Sequence, residues 1–439
     1  MRRLWPTGGL WREADFLKLW SAETISQFGS AITGLALPLV AIIVLHASAF
    51  EVAALGVIEF APFILFTLPA GVWVDRLRRR PILIVGDLGR ALLLVSVPIA
   101  YAADVLTIWQ LYAVGFLTGI LTVFFDVAYQ SYLPSLVERA QLVEGNSKLE
   151  ISRSGAQIGG PGLAGLLIGA LTAPYAVLLD AASFVGSALL VFGIRRGETD
   201  PSADVTERRS MRAELGEGLR FVLGHRYLRA IAASTGTFNF FGNLYGAIFL
   251  VYLVRRLHMS PGLIGLVESL ASVGALVGAL VATKVAGRIG VGRTILWSQL
   301  TTVVGILVPL APQDKYRAIP FIVAAGFVIG LSIVTYNVNQ LSLRQALCPE
   351  RLQGRMNAVM RFLVWGTIPL GGLVGGALAT AYGLRTTIWI GVLGQMLAAV
   401  PIAVSPVRKV ERIPEQAEET LLEPLVVDAA TVTVEPPGV

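Results

Sequence analysis

GVWVDRLRRR, residues 71–80, connects two apolar segments that are each long enough to cross a bilayer as a helix. This short connection holds Asp75 and four arginines. Short loops rich in positive charge stay on the cytoplasmic side of a membrane, because their translocation is costly. The stretch therefore predicts a polytopic membrane protein in which two neighbouring spans are joined at the cytoplasmic surface.

Apolar runs of about 20 residues, enough to span the hydrocarbon as a helix, recur along nearly the whole chain. The 439 residues are 55% hydrophobic and 15% charged, with a mean hydropathy of +0.70, which excludes a soluble globular protein. The 46 glycines suit close helix contact in lipid. We predict an all-α membrane protein with twelve transmembrane spans, at about 18–45, 52–73, 82–101, 108–131, 149–171, 175–194, 229–254, 262–284, 294–311, 318–341, 356–380 and 386–405.

The basic residues are distributed unevenly between the two sides of the membrane. With both termini in the cytoplasm, the outer side holds five of the 35 lysines and arginines, namely Arg255, Arg256, Lys315, Arg317 and Arg385. This asymmetry follows the positive-inside rule and predicts that orientation. It also explains the net charge of +6 without a nucleic-acid partner. The single cysteine, Cys348, excludes an internal disulfide.

A polar stretch divides the chain into two six-span halves. Residues 209–223 have helical periodicity and predict a helix on the cytoplasmic surface. The last residues contain acids and prolines and no spanning run, which predicts a disordered tail. The predicted organisation is a cytoplasmic N-terminus at 1–17, an N-terminal half at 18–194, a linker at 195–228, a C-terminal half at 229–405 and a cytoplasmic tail at 406–439.

Sequence features recur between the halves. LGVIE at 55–59 aligns with IGLVE at 264–268, at an offset of 209 residues. At an offset of 211 residues, Asn146, Gly155 and Gly165 correspond to Asn357, Gly366 and Gly376. Two helical halves with repeated features are the build of secondary transporters, whose substrate site lies between the halves.

Five stretches together resemble the major facilitator superfamily. The 71–80 loop has the pattern Gly-x-x-x-Asp-Arg-x-x-Arg-Arg, which is similar to the loop motif of that superfamily. Four strings resemble its branch of exporters similar to the enterobactin exporter and bacterial drug-efflux proteins: VFFDVAYQSYLPSLV at 123–137, EGNSKLEISRSGAQIGGPGLAGLL at 144–167, LLDAASF at 178–184 and GRMNAVMRFLVWGTIPLGGLVGG at 354–376. The resemblance implies a secondary exporter of a bacterial inner membrane that alternates access by rocking its halves, driven by proton entry.

Two positions depart from the family pattern. Arg78 stands where the loop motif usually has glycine. In span five, Gly160, Pro161 and Gly165 keep the antiporter motif Gly-Pro-x-x-Gly-Gly, whereas Ala164 replaces one glycine of its closing pair. The resemblance implies that the retained residues are a helix-packing motif.

The resemblance also implies a cytoplasmic latch in the 71–80 loop. Asp75 would face the positive N-terminal end of helix eleven in the outward-open state, and Arg76 and Arg79 would pair with nearby acids. Asp126 in span four is a partner for these arginines or, alternatively, a proton carrier. The simpler alternative is that the arginines only fix the topology.

Four acids are candidates for proton coupling: Glu59, Glu268, Glu23 and Asp126. Glu59 and Glu268 occupy equivalent positions of the repeat, and neither has a basic neighbour one helical turn away. Carboxylates within membrane spans normally face the bundle interior or a cavity. Glu59 and Glu268 either exchange protons or remain ionised in a wet outer vestibule.

Other charged residues of the spans predict structural contacts. Asp87 and Arg90 are three residues apart and share a helix face, where they neutralise each other. Asp180 lies in span six, and we expect it to make a structural hydrogen bond.

Polar side chains predict the lining of a central cavity. By family analogy, spans one, four, seven and ten line it. Amides there bind substrate or, equally, hold helices together. The candidates are Gln27, Tyr129, Asn239, Asn243, Asn337 and Asn339.

The sequence lacks the features of an enzyme or an ATP-driven pump. It contains no Gly-Lys pair and hence no phosphate-binding loop, and no nucleophile, base and orienting acid form a set. Three histidines give no credible metal site, and we expect no cofactor. We predict a monomeric proton antiporter that exports small amphiphilic molecules, drug-like or siderophore-like. The alternatives are an importer or facilitator of a small nutrient and a non-transporting membrane sensor or partner-binding protein.

Overall fold

The computed structural model describes residues 9–74, 76–138, 141–195 and 211–413, and nearly all of these residues are helical. Within these described ranges, twelve helical spans form two halves of six, which confirms the predicted fold class. Eleven spans are long and apolar enough to cross a membrane. The remaining one, span five, has 30 residues but carries several charges in its first turns.

The spans are numbered one to twelve in chain order, and three of them contain short irregular turns. Their bounds are Ala14–Leu39 with the π-helical turn Val40–Val44; Ala49–Val74; Arg79–Ala102; Ile108–Leu136; Leu142–Leu171; Ala173–Phe192; Arg226–Arg255; Pro261–Ile289; Val291–Thr301 with Thr302–Ile306 and Leu307–Leu310; Lys315–Ala346; Glu350–Trp365 with Thr367–Tyr382; and Leu384–Gln395 with Met396–Ala398 and Ala399–Val404.

Helix ends and breaks follow from the local sequence. Asp314 caps span ten by accepting a hydrogen bond from the amide of Arg317 at 2.9 Å. Gly290 follows span eight with a φ of +90°, a conformation that glycine adopts without strain. Span eleven breaks at Gly366, because Pro369 has no amide hydrogen to contribute to a continuous helix.

The halves share a turn that the sequence analysis missed. LHAS at 45–48 follows span one, and LHMS at 257–260 follows span seven. His46 and His258 both have a φ of 50°. In each turn the amide of the next residue donates to the carbonyl six residues back, at 2.9 and 3.0 Å. The same local structure thus recurs at an offset of 212 residues.

The bundle has two ends. The linker end is defined by the loops at 76–78 and 347–349 and by residues 195 and 211 of the linker. The opposite end is defined by the loops at 45–48, 103–107 and 256–260.

Three hydrophobic cores show how the halves are arranged. The largest core lies toward the opposite end and draws on both halves, for example Leu55 and Val114 with Val251 and Ile264. At the linker end one core contains residues of the N-terminal half only, and another contains residues of the C-terminal half only. The halves are therefore packed together at the opposite end and separate at the linker end.

Glycines bring the halves together at two seams. Spans five and eight meet backbone to backbone, because a Cβ atom on Gly165 would lie 3.0 Å from the Cα atom of Gly265. Spans two and eleven meet where a Cβ atom on Gly376 would lie 2.8 Å from the Cβ atom of Ala53. Small residues thus allow the close approach at each seam.

The helix Met211–Gly224 lies against the first helix of span eleven. A Cβ atom on Gly218 would lie 3.0 Å from the carbonyl oxygen of Arg355, and Glu217 forms an ion pair with the Arg355 side chain. These contacts attach the helix to the C-terminal half.

Candidate functional site

Two acids of the N-terminal half lie within electrostatic reach of each other. Glu23 of span one and Asp126 of span four are both half-buried, and the charge of Asp126 acts on Glu23. Gln27 donates a hydrogen bond to the Glu23 carboxylate at 2.6 Å. A carboxylate that shares a partly buried site with a second one is a typical place for a bound proton.

Arg90 of span three supplies positive charge to this group of acids. It donates to Asp87 at 2.5 Å, and the two side chains are 4% and 0% exposed. Its guanidinium lies 4.3 Å from the ring centroid of Phe125 and 4.1 Å from that of Phe184. The pairing predicted from the sequence is present, and two aromatic faces compensate part of the cost of burying the cation.

Tyr129 lies one helical turn beyond Asp126, and its ring stacks on Phe125 with centroids 6.1 Å apart. Its hydroxyl is buried and has no hydrogen-bond partner among the described residues, and the charges of Glu23 and Asp126 act on it. An unpaired buried hydroxyl costs about 1–3 kcal/mol. The hydroxyl is therefore available to donate to a neighbouring carboxylate.

Asp180 joins span six to span one. Its carboxylate accepts from Thr33 at 2.5 Å and from Ser183 at 3.0 Å, and the residue is 1% exposed. Gly29 provides the space, because a Cβ atom there would collide with both Asp180 and Ser183. These are the structural hydrogen bonds expected from the sequence.

The C-terminal half has neutral polar side chains in its interior. Thr235 and Tyr336 are joined by a hydrogen bond of 2.6 Å, and Gln299 donates to Ser234 at 3.1 Å. A small cavity of about 40 Å³ lies beside them and is also lined by Asn239. The sequence analysis missed the Ser234 and Gln299 pair, although serine and glutamine within apolar spans are a signal for interhelical hydrogen bonds.

A pocket of about 310 Å³ lies between the halves. It is lined by apolar residues of spans one, two, seven and eleven and by one amide, Asn243. The side-chain nitrogen of Asn243 donates to the backbone carbonyl of Asn239 at 2.9 Å, and the side-chain oxygen of Asn243 takes no part in that bond. Phe60 lines the pocket and lies 6.0 Å from the ring of Trp365 across the seam. The pocket has the apolar, aromatic character suited to an amphiphile.

The other predicted cavity amides are placed differently. Asn239 donates to the carbonyl of Val364 at 3.1 Å and thereby joins spans seven and eleven. Asn337 is exposed and lines the small cavity of the C-terminal half. Asn339 is 4% exposed and donates to the carbonyl of Thr335 within its own helix. Asn339 therefore uses its amide nitrogen within span ten.

Glu59 and Glu268 are half-buried acids without polar partners in the described part of the chain. Glu59 lies against span four, where a Cβ atom on Gly115 would be 2.7 Å from its Cγ atom. Gly119 lies against the Glu59 backbone one turn further on. Glu59 thus points within the N-terminal half, away from the pocket between the halves.

The predicted latch residues are only partly described. Asp75 lies outside the described residues, and Arg76 is exposed. Arg79 is half-buried at the start of span three. Within the described part of the chain, the positive charges of Arg90 and Arg153 act on Asp126. The 71–80 loop is attached to span six by Arg80, which donates to the carbonyls of Val191 and Phe192.

The predicted helix-packing motif lies at contacts of span five with two neighbours. A Cβ atom on Gly160 would be 2.6 Å from Ala31 of span one, and the carbonyl of Pro161 faces Gly265 of span eight. Ser269 accepts from the amide of Gly162 at 2.8 Å across the same seam as Gly165.

The fold, with two six-helix halves that meet at one end, is that of a major facilitator transporter. The family model described as transmembrane secretion effector matches residues 9–434, and the chain belongs to this family. It is 29% identical over 408 residues to the multidrug efflux pump Tap of Mycolicibacterium fortuitum, covering 89% of this chain and 95% of that one.

Solved structures of a bacterial homologue of the iron transporter ferroportin share the fold at 17% identity. Its inward-facing state matches with a TM-score of 0.70, over 90% of this chain and 99% of that chain. Its outward-facing state matches with a TM-score of 0.56, over 89% and 98%.

Proposed function

We propose that the protein exports small amphiphilic molecules from the bacterial cytoplasm by alternating access, as a proton antiporter of the inner membrane. The observation that carries the proposal is the arrangement of the three cores, which are shared at the opposite end and divided at the linker end. A bundle whose halves separate at one end can admit a substrate there and release it elsewhere only by rocking. The relationship to Tap supports drug-like substrates and the export direction.

The linker end is the cytoplasmic end in this proposal. The basic residues concentrated there follow the positive-inside rule. The higher TM-score with the inward-facing state of the ferroportin homologue agrees with an opening on that side. Asp75, Arg76 and Arg79 would then close the linker end in the outward-open state, when the cytoplasmic ends of the halves meet.

The substrate site is the pocket of about 310 Å³ between the halves. Its walls come from both halves, so a rocking motion changes its shape and its affinity. Asn243 offers a hydrogen bond, and Phe60 and Trp365 offer aromatic faces, but none of the described lining residues is charged. These features favour uncharged or weakly charged amphiphiles over strongly polar nutrients.

Protons are carried by Glu23 and Asp126 in this proposal. These acids lie within electrostatic reach of each other, and Arg90 acts on both of them. A proton that enters or leaves changes the balance of charge around Arg90, which is only 3% exposed. Glu59 and Glu268 are the alternative carriers, because each is half-buried and has no polar partner in the part of the chain that the structure describes.

Uphill transport in proteoliposomes tests the proposal. The wild type is expected to accumulate a fluorescent amphiphile against its gradient when a pH gradient is imposed, and to stop when a protonophore is added. Glu23→Gln and Asp126→Asn are expected to lose uphill transport by at least about tenfold, a barrier change of roughly 1.4 kcal/mol, while they retain exchange of labelled for unlabelled substrate. Glu59→Gln and Glu268→Gln remove the charges of the two alternative acids and are the matched controls.

Three other results of this transport experiment would each indicate a different function or a different proton site. Loss of coupling in the Glu59 or Glu268 variant alone would move the proton site to spans two and eight. Substrate movement without a response to the pH gradient would identify a facilitator. No movement of any amphiphile, with folded protein, would support a protein that binds partners and does not transport.

A further inference from the structure

A basic pocket at the linker end lies apart from the proposed transport site. It has a volume of about 500 Å³ and is bounded by the start of span seven and the residues that follow span twelve. Three cations line it, Arg226, Arg408 and Lys409, and its described lining contains no acid. Concentrated like charge on one concave surface attracts an anion.

The backbone that carries two of these cations is firmly held. Residues 406–409 form a turn whose Val407 is fully buried, and Ser405 accepts from the amide of Val407 at 3.3 Å. The chain then pairs with the start of span nine, where the amide of Gly292 donates to the carbonyl of Val410 at 2.8 Å. Arg408 and Lys409 therefore project from a fixed scaffold, although their side chains are exposed.

The pocket also has an apolar side at the depth where the spans end. Val404 is the last residue of span twelve and is 79% exposed, as expected of a residue that faces lipid chains. Tyr227, at the start of span seven, lies 5.2 Å from the Arg226 guanidinium. Tyrosines beside arginines are typical of the headgroup level of a bilayer.

We propose that this pocket binds the headgroup of an anionic phospholipid. Arg226, Arg408 and Lys409 hold the phosphate, and an acyl chain of the same lipid lies along Val404. Basic pockets between spans at a membrane surface are suited to such headgroups. The lipid would bridge the first span and the last span of the C-terminal half.

Native mass spectrometry of the full-length protein in detergent tests the site. We titrate dioleoyl phosphatidylglycerol and, separately, zwitterionic dioleoyl phosphatidylcholine. The variant Arg226→Gln/Arg408→Gln removes two cations from the pocket. Lys284→Gln/Arg288→Gln removes two exposed cations from span eight, outside the pocket, and is the matched control.

The wild type is expected to bind phosphatidylglycerol in preference to phosphatidylcholine. Arg226→Gln/Arg408→Gln is expected to bind phosphatidylglycerol roughly 30-fold more weakly, whereas the span-eight variant stays within about threefold of the wild type. An equal loss in both variants, or no loss in the pocket variant, would overturn the site. Displacement of the lipid by excess inorganic phosphate would overturn the lipid assignment in favour of a free-phosphate site. The unfolding midpoints of both variants confirm that they are folded.

Discussion

The two halves share one helical plan but bury different chemistry. In the N-terminal half the buried polar residues include Asp87, Arg90 and Asp180. In the described spans of the C-terminal half the buried polar residues are hydroxyls and amides, such as Gln299 and Asn339. The burial of charge is expensive and is tolerated where it serves a function. The contrast supports the proposal that the N-terminal half binds and releases protons, whereas the C-terminal half contributes uncharged polar residues to the interior.

Two span glycines, one in each half, lie against different kinds of side chain. Gly115 of span four faces the Glu59 side chain, and Gly326 of span ten, 211 residues later, faces Ala271. A Cβ atom would lie 2.7 Å from Glu59 in the first case and 2.6 Å from Ala271 in the second. A span glycine thus packs closely against a neighbouring span in both halves, against an acid in the N-terminal half and a methyl group in the C-terminal half.

The largest expected effect is on the buried ion pair of the N-terminal half. Asp87→Asn leaves the Arg90 charge buried without its counter-ion, and we expect the free energy of unfolding to fall by about 3–5 kcal/mol. The double variant Asp87→Leu/Arg90→Met removes both charges and is expected to recover most of this loss. Chemical denaturation in detergent measures both. Equal free energies of unfolding for the wild type and Asp87→Asn would show that the buried ion pair of the N-terminal half contributes little to stability.

The next effect concerns the seam between spans five and eight. Gly165→Leu places a side chain where only a backbone contact fits, so the halves cannot close at the opposite end. We expect transport to fall by at least about tenfold. Gly169→Leu, one turn away, is the matched control, because no heavy atom lies within 4 Å of a Cβ atom at Gly169. Equal activity of the two variants would contradict the role of the seam.

A smaller effect is expected in the neutral interior of the C-terminal half. Tyr336→Phe removes the hydrogen bond to Thr235, and we expect a loss of about 0.5–1.5 kcal/mol in the free energy of unfolding. Uphill transport should keep its response to the pH gradient, because no proton carrier is altered. A variant that unfolds as readily as Asp87→Asn, or that loses the pH response, would remove the distinction between the halves.

The smallest expected effect concerns the reactivity of Cys348, which lies between spans ten and eleven. Burial raises the pKa of its thiol to about 11, and the residue is 3% exposed. The thiol is therefore mostly protonated at neutral pH, and maleimide labelling of the folded protein should be slow. The rate should increase with pH and on unfolding. Fast labelling of the folded protein at neutral pH would show that the C-terminal core opens locally.

The sequence was sufficient for the fold class, because spanning runs and loop charges are local signals. It was also sufficient for the Asp87 and Arg90 pair, which are close in the chain. It could not show that Arg90 lies between Phe125 and Phe184, or that Glu59 faces Gly115, because those contacts join different helices. The sequence also could not show that Asn339 is buried. The same sequence pattern fits an amide that faces the cavity and one that faces a neighbouring helix.

The central claim is that Glu23 and Asp126 control which end of the bundle is open. Pulsed electron spin resonance between labels at Val143 and Lys284, on spans five and eight toward the linker end, measures it most directly in a Cys348→Ser background. The wild-type distance is expected to change between mildly acidic and mildly alkaline pH. Glu23→Gln/Asp126→Asn should abolish that change, while Glu59→Gln/Glu268→Gln should retain it. A pH response in Glu23→Gln/Asp126→Asn equal to that of the wild type would contradict the account.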